Sequence, residues 1–313
     1  MNGIDNRIVF TETKIIMEYF KLNNGNTIPC ICFGPGMMTR GMKAPQSILE
    51  KVRYKIKYKR AEFIFRAAID SAINTGYRFI DYSAAYGRED LICKSIKNSG
   101  VQRADFILTT RVSNKSQYNG SIKDEFYRSL ERYDVDYIDL LMFHWPVTSK
   151  YVETWQQMIE LYEEGLCKNL GVSNCHQHHI EQLIKETGVT PSINQVEIHP
   201  LFTQKPLIDF CNKQGILCEA YTPLARMDER FTRLPLMKEL SLKYKKTFTQ
   251  LILRWHIQNG VIPVFRSLNE GRQKENFNIF DFVISDDDMK KIDSININSR
   301  LRYDPDNCDF TIL

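Results

Sequence analysis

The chain has 313 residues, of which 43% are hydrophobic and 26% charged, the ordinary balance of a globular protein with a large core. Its net charge of +4 is too small to indicate a nucleic-acid partner, and no run of about 20 apolar residues indicates a membrane span. The eight cysteines form no Cys-x-x-Cys pair, and the amino terminus lacks the apolar stretch of a secretory signal. We therefore expect reduced thiols, a cytoplasmic location, and neither a nucleic-acid nor a membrane partner.

An antiparallel hairpin is predicted first, at 14–27, because two apolar runs flank Asn24 and Gly25. Short apolar strands then alternate with amphipathic helices. The predicted strands are 28–33, 79–82, 106–110, 138–143, 170–172, 192–196, 217–221 and 261–265. The predicted helices are 61–74, 90–98, 121–130, 152–163, 176–187, 204–213 and 247–258. Eight strand–helix units predict an α/β fold, a (β/α)8 TIM barrel, with 1–313 as one domain and the hairpin capping one end.

One segment, 51–60 (KVRYKIKYKR), does not fit this repeat. It carries six cations in ten residues, interleaved with Val, Tyr and Ile. Such a pattern could bind phosphates or a charged surface. A solvated edge ribbon or a frayed helix with its cations outward is the favoured interpretation, since cations protect exposed edges.

Polar side chains end three successive strands, where barrels of this type carry their chemistry. Asp81 closes the second strand, with Tyr86 five residues later, and Arg111 and His144 follow the third and fourth strands. Each residue alone is more often a packing residue. Together they can do proton chemistry, because a cation lowers the pKa of a nearby phenol from about 10 by ~1–3 units. A carboxylate can orient the cation, and histidine can donate to an oxygen that gains charge.

At these residues the chain resembles the aldo-keto reductase family. The motifs IDYSAAYG, DLLMFHWP, GVSN, NQVEIHP and YTPLA, and the later RSLNEGRQKEN, are similar in kind, order and spacing, over about 25–305. The family is a (β/α)8 barrel that transfers a hydride from NADPH to an aldehyde or ketone without a metal. The resemblance implies an NAD(P)H-dependent oxidoreductase for a small-molecule carbonyl substrate, reversible towards alcohol oxidation, and a monomer or weak homo-oligomer.

The resemblance also implies roles for individual residues. Tyr86 would be the general acid, His144 would polarise the carbonyl oxygen, and Asp81 would anchor the cation. Tyr86, His144 and Trp145 would contact the substrate. The implied cofactor residues are Ser173, Asn174 and Gln195 at the carboxamide, Tyr221 under the nicotinamide, Thr222 and Leu224 along the pyrophosphate and ribose, and Arg266, Ser267, Arg272, Glu275 and Asn276 around the 2′-phosphate and adenine. Because two guanidinium groups suit a dianionic phosphate, NADPH is favoured over NADH.

The main departure from the family pattern is Arg111, which stands where the family has its catalytic lysine. Arginine keeps a positive charge beside Tyr86 but cannot give up a proton. We expect activity at a lower rate and a changed pH optimum. The alternative is a catalytically weakened or inactive NADPH-binding sensor or interaction subunit. Two further departures are Cys32 and Pro35 in place of Gly and Thr, and the extra length of 37–60.

A histidine-rich segment, NCHQHHIEQL, contains His176, His178 and His179. His176 and His179 share a face of the predicted helix. Apart from Cys175, no cysteine or acid at a suitable spacing completes a tetrahedral ligand set, so no metal is predicted. A metal-dependent barrel hydrolase is accordingly a distant alternative.

Overall fold

The barrel predicted from the sequence is present in the computed structural model, which describes residues 8–10, 17–39 and 41–312. Its parallel strands are β4 (Cys32–Phe33), β5 (Phe79–Ile80), β6 (Ile107–Val112), β7 (Leu140–Phe143), β8 (Leu170–Ser173), β9 (Ile193–Glu197), β10 (Leu217–Tyr221) and β11 (Val261–Phe265). They close in the order β10-β11-β4-β5-β6-β7-β8-β9. The (β/α)8 TIM barrel is therefore confirmed.

A small antiparallel sheet precedes the barrel. It consists of β1 (Ile8–Phe10), β2 (Met17–Lys21) and β3 (Thr27–Pro29), with β2 in the middle. The predicted strand 28–33 is wrong as a single element, because β3 pairs with β2 while β4 pairs with β5 and β11. The chain passes from one sheet to the other at Cys30 and Ile31, which are fully buried. Residues 14–16 of the predicted hairpin lie outside the described residues.

The hairpin covers the amino-terminal end of the barrel. The Nδ2 groups of Asn24 and Asn26 donate to Oδ1 of Asn169 at 2.8 and 3.0 Å, and Asn169 directly precedes β8. Asn23 Nδ2 donates to the carbonyl of Pro191, shortly before β9, at 3.0 Å. The hairpin cap is thus confirmed, and it leaves the opposite, carboxyl end of the barrel accessible.

Helices surround the barrel, and several of them pack directly on its strands. They are α1 (Ile48–Thr75), α2 (Glu89–Ser99), α3 (Asn114–Asn119), α4 (Ile122–Tyr133), α5 (Tyr151–Glu163), α6 (Gln177–Thr187), α7 (Lys205–Lys213), α8 (Glu229–Thr232), α9 (Pro235–Tyr244), α10 (Phe248–Gln258), α11 (Glu270–Phe277) and α12 (Asp286–Asp293). In the described part of the chain, no helix combines the length and apolarity needed to cross a bilayer.

The basic segment 51–60 is part of a regular helix and not an edge ribbon. Helix α1 begins after Ser47, whose Oγ accepts a hydrogen bond from the backbone N–H of Glu50 at 3.2 Å. Its 28 residues span about 42 Å. The cations of the segment are exposed, as expected, while Tyr54 and Tyr58 lie half-buried among them. The insertion therefore extends the first barrel helix outward.

The barrel strands are mostly buried on both faces, which explains their nearly continuous apolar sequences. Strand β7, for example, is Leu-Leu-Met-Phe, with all four residues buried. Charged side chains interrupt this pattern inside the barrel. Arg111 on β6 is 2% exposed and Glu219 on β10 is 0% exposed. Charges so deep in a core require partners, and these partners define the site described next.

Candidate active site

A cavity of about 420 Å³ opens at the carboxyl ends of the barrel strands. Its wall includes many of the predicted site residues because each of them follows or ends a barrel strand. The lining residues are Gly36, Met37, Asp81, Tyr86, His144, Trp145, Asn174, Gln195, Tyr221, Thr222, Arg226 and Arg302. The structure thus brings the acid, the phenol and the imidazole predicted from the sequence to one cavity.

Arg111 lies beneath this cavity and links its own strand β6 to the end of the neighbouring β5 and, across the barrel, to β9. Its Nη2 donates to Oδ1 of Asp81 in a close ion pair and to Oε1 of Gln195 at 2.7 Å. Its Nη1 donates to the carbonyl of Tyr82 at 3.1 Å. The guanidinium is therefore held by the carboxylate expected from the sequence and also by Gln195 and the Tyr82 carbonyl, two partners that the sequence did not predict for it.

A second carboxyl group faces the same network. Glu219 Oε2 accepts a hydrogen bond from Nε2 of Gln195 at 2.8 Å, and the thiol of Cys32 lies beside it. Burial, reinforced by the negative charge of Asp81, raises the pKa of Glu219 to about 8. At neutral pH Glu219 is therefore mainly protonated, so the net charge of the group is set by Asp81 and Arg111.

The charge of Arg111 is secure. Burial disfavours it, but the attraction of Asp81 and of the Tyr86 phenol outweighs burial and raises the pKa of Arg111 above its ordinary value. A guanidinium that starts so basic does not exchange protons at any working pH. Arg111 can therefore supply a fixed positive potential near Tyr86, but it cannot supply a proton.

Tyr86 ends a short 3₁₀ turn, Ala84–Tyr86, that follows β5. Ser83 caps this turn, since its Oγ accepts from the backbone N–H of Ala85 at 3.3 Å. The hydroxyl of Tyr82 donates to the carbonyl of Gly87 at 2.6 Å, which fixes the far side of the turn. The Tyr86 ring meets the edges of Tyr82 and His144 at centroid distances of 5.4 and 6.1 Å. The phenol is thus positioned in the cavity wall by packing on two sides.

His144 follows β7, and its ring lines the cavity next to Tyr86. Desolvation, with the positive charges of Arg111 and Arg302, lowers the pKa of His144 to about 3. The imidazole is therefore neutral at neutral pH. A neutral imidazole donates one hydrogen bond and adds no charge, so His144 can orient a carbonyl oxygen beside the phenol.

Two residues predicted for the nicotinamide side contact each other directly. The Tyr221 hydroxyl donates to Oδ1 of Asn174 at 2.6 Å, and Asn174 Nδ2 donates to the carbonyl of His144 at 3.0 Å. The hydroxyl of Ser173, at the end of β8, makes a weak contact of 3.9 Å with the sulfur of Met142. Each amide of Asn174 and Gln195 keeps one N–H beyond the contacts described here, so both can still bond a ligand.

The residues predicted for the phosphate and adenine lie at a separate place, after β11 and along α11. The guanidinium groups of Arg266 and Arg272 are exposed, whereas Ser267 and Asn276 are buried. Glu275 Oε1 accepts from the Thr247 hydroxyl at 2.8 Å, which ties α11 to α10. These residues lie at the same end of the barrel as the cavity, because they follow the carboxyl end of β11.

The stretch between cavity and α11 fits an elongated anionic ligand. Arg266 Nε donates to the carbonyl of Pro35 at 2.9 Å, and a Cβ on Gly36 would come within 3.0 Å of Arg266 Cδ. Thr222 Oγ1 is a buried hydroxyl with no hydrogen-bond partner among the described residues. Thr222 also has a left-handed backbone, with φ +50°. This conformation is strained for a β-branched residue, and such strain is concentrated at ligand-binding sites. A hydroxyl left unsatisfied beside a cationic groove is suited to a polar ligand group.

Sequence reasoning missed part of the site. Glu219 interrupts the apolar strand LCEAY as Arg111 interrupts FILTTRV, so the same signal was available for both. Arg226 lines the cavity from a short 3₁₀ turn and Arg302 from a loop, where no periodicity marks them. Leu224 follows β10 but is not among the cavity-lining residues.

Comparison with known proteins gives a consistent result. The model described as "Aldo/keto reductase family" matches residues 57–297. A glyoxal reductase of Bacillus subtilis (strain 168) is 37% identical over 93% of this chain and 97% of its own length. The methylglyoxal reductase DkgA of Escherichia coli (strain K12) is 39% identical over 76% of this chain and 87% of its own length.

Solved structures agree with these relatives. A Brucella melitensis aldo/keto reductase superposes with a TM-score of 0.77 at 38% identity, covering 88% of this chain and 98% of the other. A Bombyx mori aldo-keto reductase in complex with NADP superposes with a TM-score of 0.79 at 31% identity, covering 92% and 95%. The match spans the fold and the strands that carry the cavity. The chain therefore belongs to the aldo/keto reductase family and is an oxidoreductase.

Proposed function

We propose that this protein reduces small aldehydes and ketones with NADPH, with Tyr86 as the proton donor. The observation that carries the proposal is the placement of Tyr86 and His144 side by side in one cavity, with the fixed charge of Arg111 behind them. A hydrogen-bond donor and a proton donor beside one another are what a carbonyl oxygen needs as it becomes an alkoxide.

The protein's contribution to the reaction follows from these groups. The neutral ring of His144 donates a hydrogen bond to the carbonyl oxygen and holds it against the phenol. As negative charge grows on that oxygen, the Tyr86 hydroxyl transfers its proton to it, and the resulting phenolate is stabilised by the Arg111 charge. Since Arg111 cannot reprotonate the phenol, the replacement proton comes from solvent through the cavity.

NADPH, when bound, supplies the hydride. Ser173, Asn174 and Gln195 have donors or acceptors left for a carboxamide, and the Tyr221 ring offers an aromatic face. Thr222 offers its unsatisfied hydroxyl to the pyrophosphate region. Arg266 and Arg272 would hold the 2′-phosphate, because planar guanidinium groups bind phosphate oxygens in pairs. The NADP-bound silkworm relative supports this cofactor choice.

Small polar dicarbonyls such as glyoxal and methylglyoxal are the proposed substrates. Two relatives carry these compounds in their names, and one of them covers nearly the whole chain. The cavity of about 420 Å³ must hold the nicotinamide as well as the substrate, which favours a small molecule. Arg226 and Arg302 at its wall favour substrates rich in carbonyl or carboxylate oxygens.

The test is NADPH oxidation, followed by absorbance, with methylglyoxal, glyoxal and a panel of larger aldehydes. We expect turnover with the small dicarbonyls and a loss of about 10²–10⁴ in kcat for Tyr86→Phe. Tyr162→Phe, an exposed tyrosine on α5, is the matched control and should behave like the wild type.

Full activity in Tyr86→Phe would disprove the role of this phenol. Tight NADPH binding by fluorescence, with no turnover of any carbonyl in the panel, would instead support the sensor subunit considered from the sequence. NADH in place of NADPH serves as the cofactor control. Equal kcat/KM for the two cofactors would show that Arg266 and Arg272 do not recognise the 2′-phosphate.

A further inference from the structure

A cluster of histidines and one aspartate lies outside the carbonyl site. His176 caps helix α6, and His178 and His179 occupy its first turn. Asp306, from the carboxyl-terminal segment, completes the group. One potential ligand atom from each of the four residues lies within 4.8 Å of the others. The sequence offered no acid at a suitable spacing, and the fold brings one in across 130 positions from His176.

From this cluster we propose a binding site for a divalent first-row transition metal, such as Zn²⁺, formed by His176, His178, His179 and Asp306. Three imidazoles and a carboxylate are a ligand set that such ions accept. The site is independent of the carbonyl chemistry, so its test does not depend on activity.

The spacing of the ligand atoms supports this proposal. In a tetrahedral zinc site with bonds of about 2.0–2.1 Å, neighbouring ligand atoms are about 3.3 Å apart. The Asp306 carboxylate oxygens lie 2.9 Å from Nδ1 of His176, 3.3 Å from Nε2 of His178 and 3.5 Å from Nε2 of His179. All four ligand atoms lie within 4.8 Å of one another, a spacing that side-chain rotation can shorten to the value of a tetrahedral site.

Some groups oppose a cation here and must be offset. The amino end of α6 is electropositive, and Arg300 Nη2 lies 3.3 Å from Nε2 of His176. Arg300 also stacks on the ring of Phe202 at 4.7 Å, which gives it a place away from His176. Asp304 Oδ1 lies 3.9 Å from the same imidazole nitrogen. When Nδ1 of His176 binds the ion, Nε2 carries the proton, and Asp304 can accept a hydrogen bond from it.

His179 is expected to be the weakest of the four ligands, because it already takes part in capping α6. Its Nδ1 accepts the backbone N–H of His176 at 3.1 Å, so in the ion-free state Nε2 carries the proton. Binding through Nε2 requires this capping contact to break. His176, His178 and Asp306 therefore form the primary ligands, with His179 or a water in the fourth position.

A bound ion would tie two walls of the cavity together. Asn174 lies two residues before His176, and Arg302 lies four residues before Asp306, and both line the cavity. The carboxyl-terminal segment 300–307 would be pinned to the start of α6. The proposal thus predicts that the ion protects this segment from proteolysis.

The direct experiment is a Co²⁺ titration of the untagged, chelator-treated protein, followed by visible absorption, with Zn²⁺ as competitor. We expect one ion per chain with the intense bands of tetrahedral cobalt. His178→Ala and Asp306→Asn should each weaken binding by at least about tenfold. Both residues are partly or fully exposed, so the variants are expected to fold.

Two matched controls locate the ion. Asp309→Asn removes the same charge three residues beyond Asp306, and Cys308→Ser removes the half-buried thiol two residues beyond Asp306. Both should bind cobalt like the wild type. The proposal is overturned by the absence of saturable binding, by unchanged binding in His178→Ala and Asp306→Asn, or by loss of binding in Cys308→Ser.

Discussion

Two buried arginine–carboxylate pairs sit at opposite ends of the barrel. At the carboxyl end Arg111 pairs with Asp81, and at the amino end Arg254 of α10 pairs with Glu18 of the hairpin, Nη1 to Oε1 at 2.6 Å. The two guanidinium side chains are 2% and 3% exposed. Only Arg111 lies beneath a cavity with a phenol and an amide in reach. A buried charge alone therefore does not identify a catalytic residue. The groups around it distinguish a catalytic candidate such as Arg111 from a structural residue such as Arg254.

The largest expected effects come from removing one carboxylate at a time. Asp81→Asn and Glu18→Gln each leave a buried guanidinium without its counter-charge, so each should lower the free energy of unfolding by about 3–5 kcal/mol. Only Asp81→Asn should also reduce kcat, by about tenfold or more, because Arg111 is then free to leave the phenol. Urea unfolding and steady-state NADPH oxidation measure the two effects. An equal loss of kcat in Glu18→Gln would show that the Asp81–Arg111 pair has no special role in catalysis.

A second experiment exchanges the cation. Arg111→Lys restores a compact charge that can move a proton and no longer engages Gln195 and Tyr82 at the same time. We expect kcat to rise by roughly tenfold, equivalent to about 1.4 kcal/mol, with a shifted pH optimum. Arg254→Lys is the matched control, with kcat and its pH profile unchanged. Identical pH–rate profiles for Arg111→Lys and the wild type would show that the arginine is catalytically silent.

The sequence predicted the barrel strands and the catalytic candidates at their carboxyl ends. Strand positions and the residues that end them followed from short apolar runs, because the periodicity of a parallel barrel is local. Tyr86, Arg111 and His144 were found this way, and the cavity brings Tyr86 and His144 together, with Arg111 beneath. The roles given to these residues stay predictions until tested.

Features that depend on distant pairing were not predictable. Glu219 meets Gln195 across neighbouring strands, and Asp306 meets His176 across most of the carboxyl-terminal half, and no local pattern encodes either contact. Strand β4 was merged with β3 because the apolar run continues through the change of sheet. The basic segment 51–60 was predicted as a solvated edge ribbon or a frayed helix, because its alternating cations hide the regular helix that begins after Ser47 and continues into the core at Phe65.

Glu219 provides a pH-dependent test confined to the cavity end. Its pKa is raised by burial from an ordinary 4.5 to about 8, so the native state keeps a proton that the unfolded state has lost. Stability from this group is fully present below about pH 4.5 and is lost as pH rises through about 8. The facing groups are Asp81, Arg111, Gln195 and Cys32.

Glu219→Gln retains the acceptor for Gln195 but cannot ionise. We expect its free energy of unfolding, measured in urea from pH 5 to pH 9, to fall less steeply with pH than that of the wild type. At pH 7 its kcat should stay close to the wild-type value, since the native carboxyl is mainly protonated there. Parallel stability curves for the two proteins would mean that Glu219 is ionised throughout.

The smallest effect is expected at the hairpin turn, far from the cavity. Asn24 and Asn26 both donate to Oδ1 of Asn169, a buried side chain, so either donor alone still satisfies that oxygen. Asn24→Ala and Asn26→Ala should each cost about 1 kcal/mol or less in urea unfolding. The double variant leaves the oxygen unsatisfied, so its loss should exceed the sum of the two single losses. Because these contacts hold only the amino end, kcat should stay unchanged in all three, and a fall in kcat would show that the hairpin also supports the cavity.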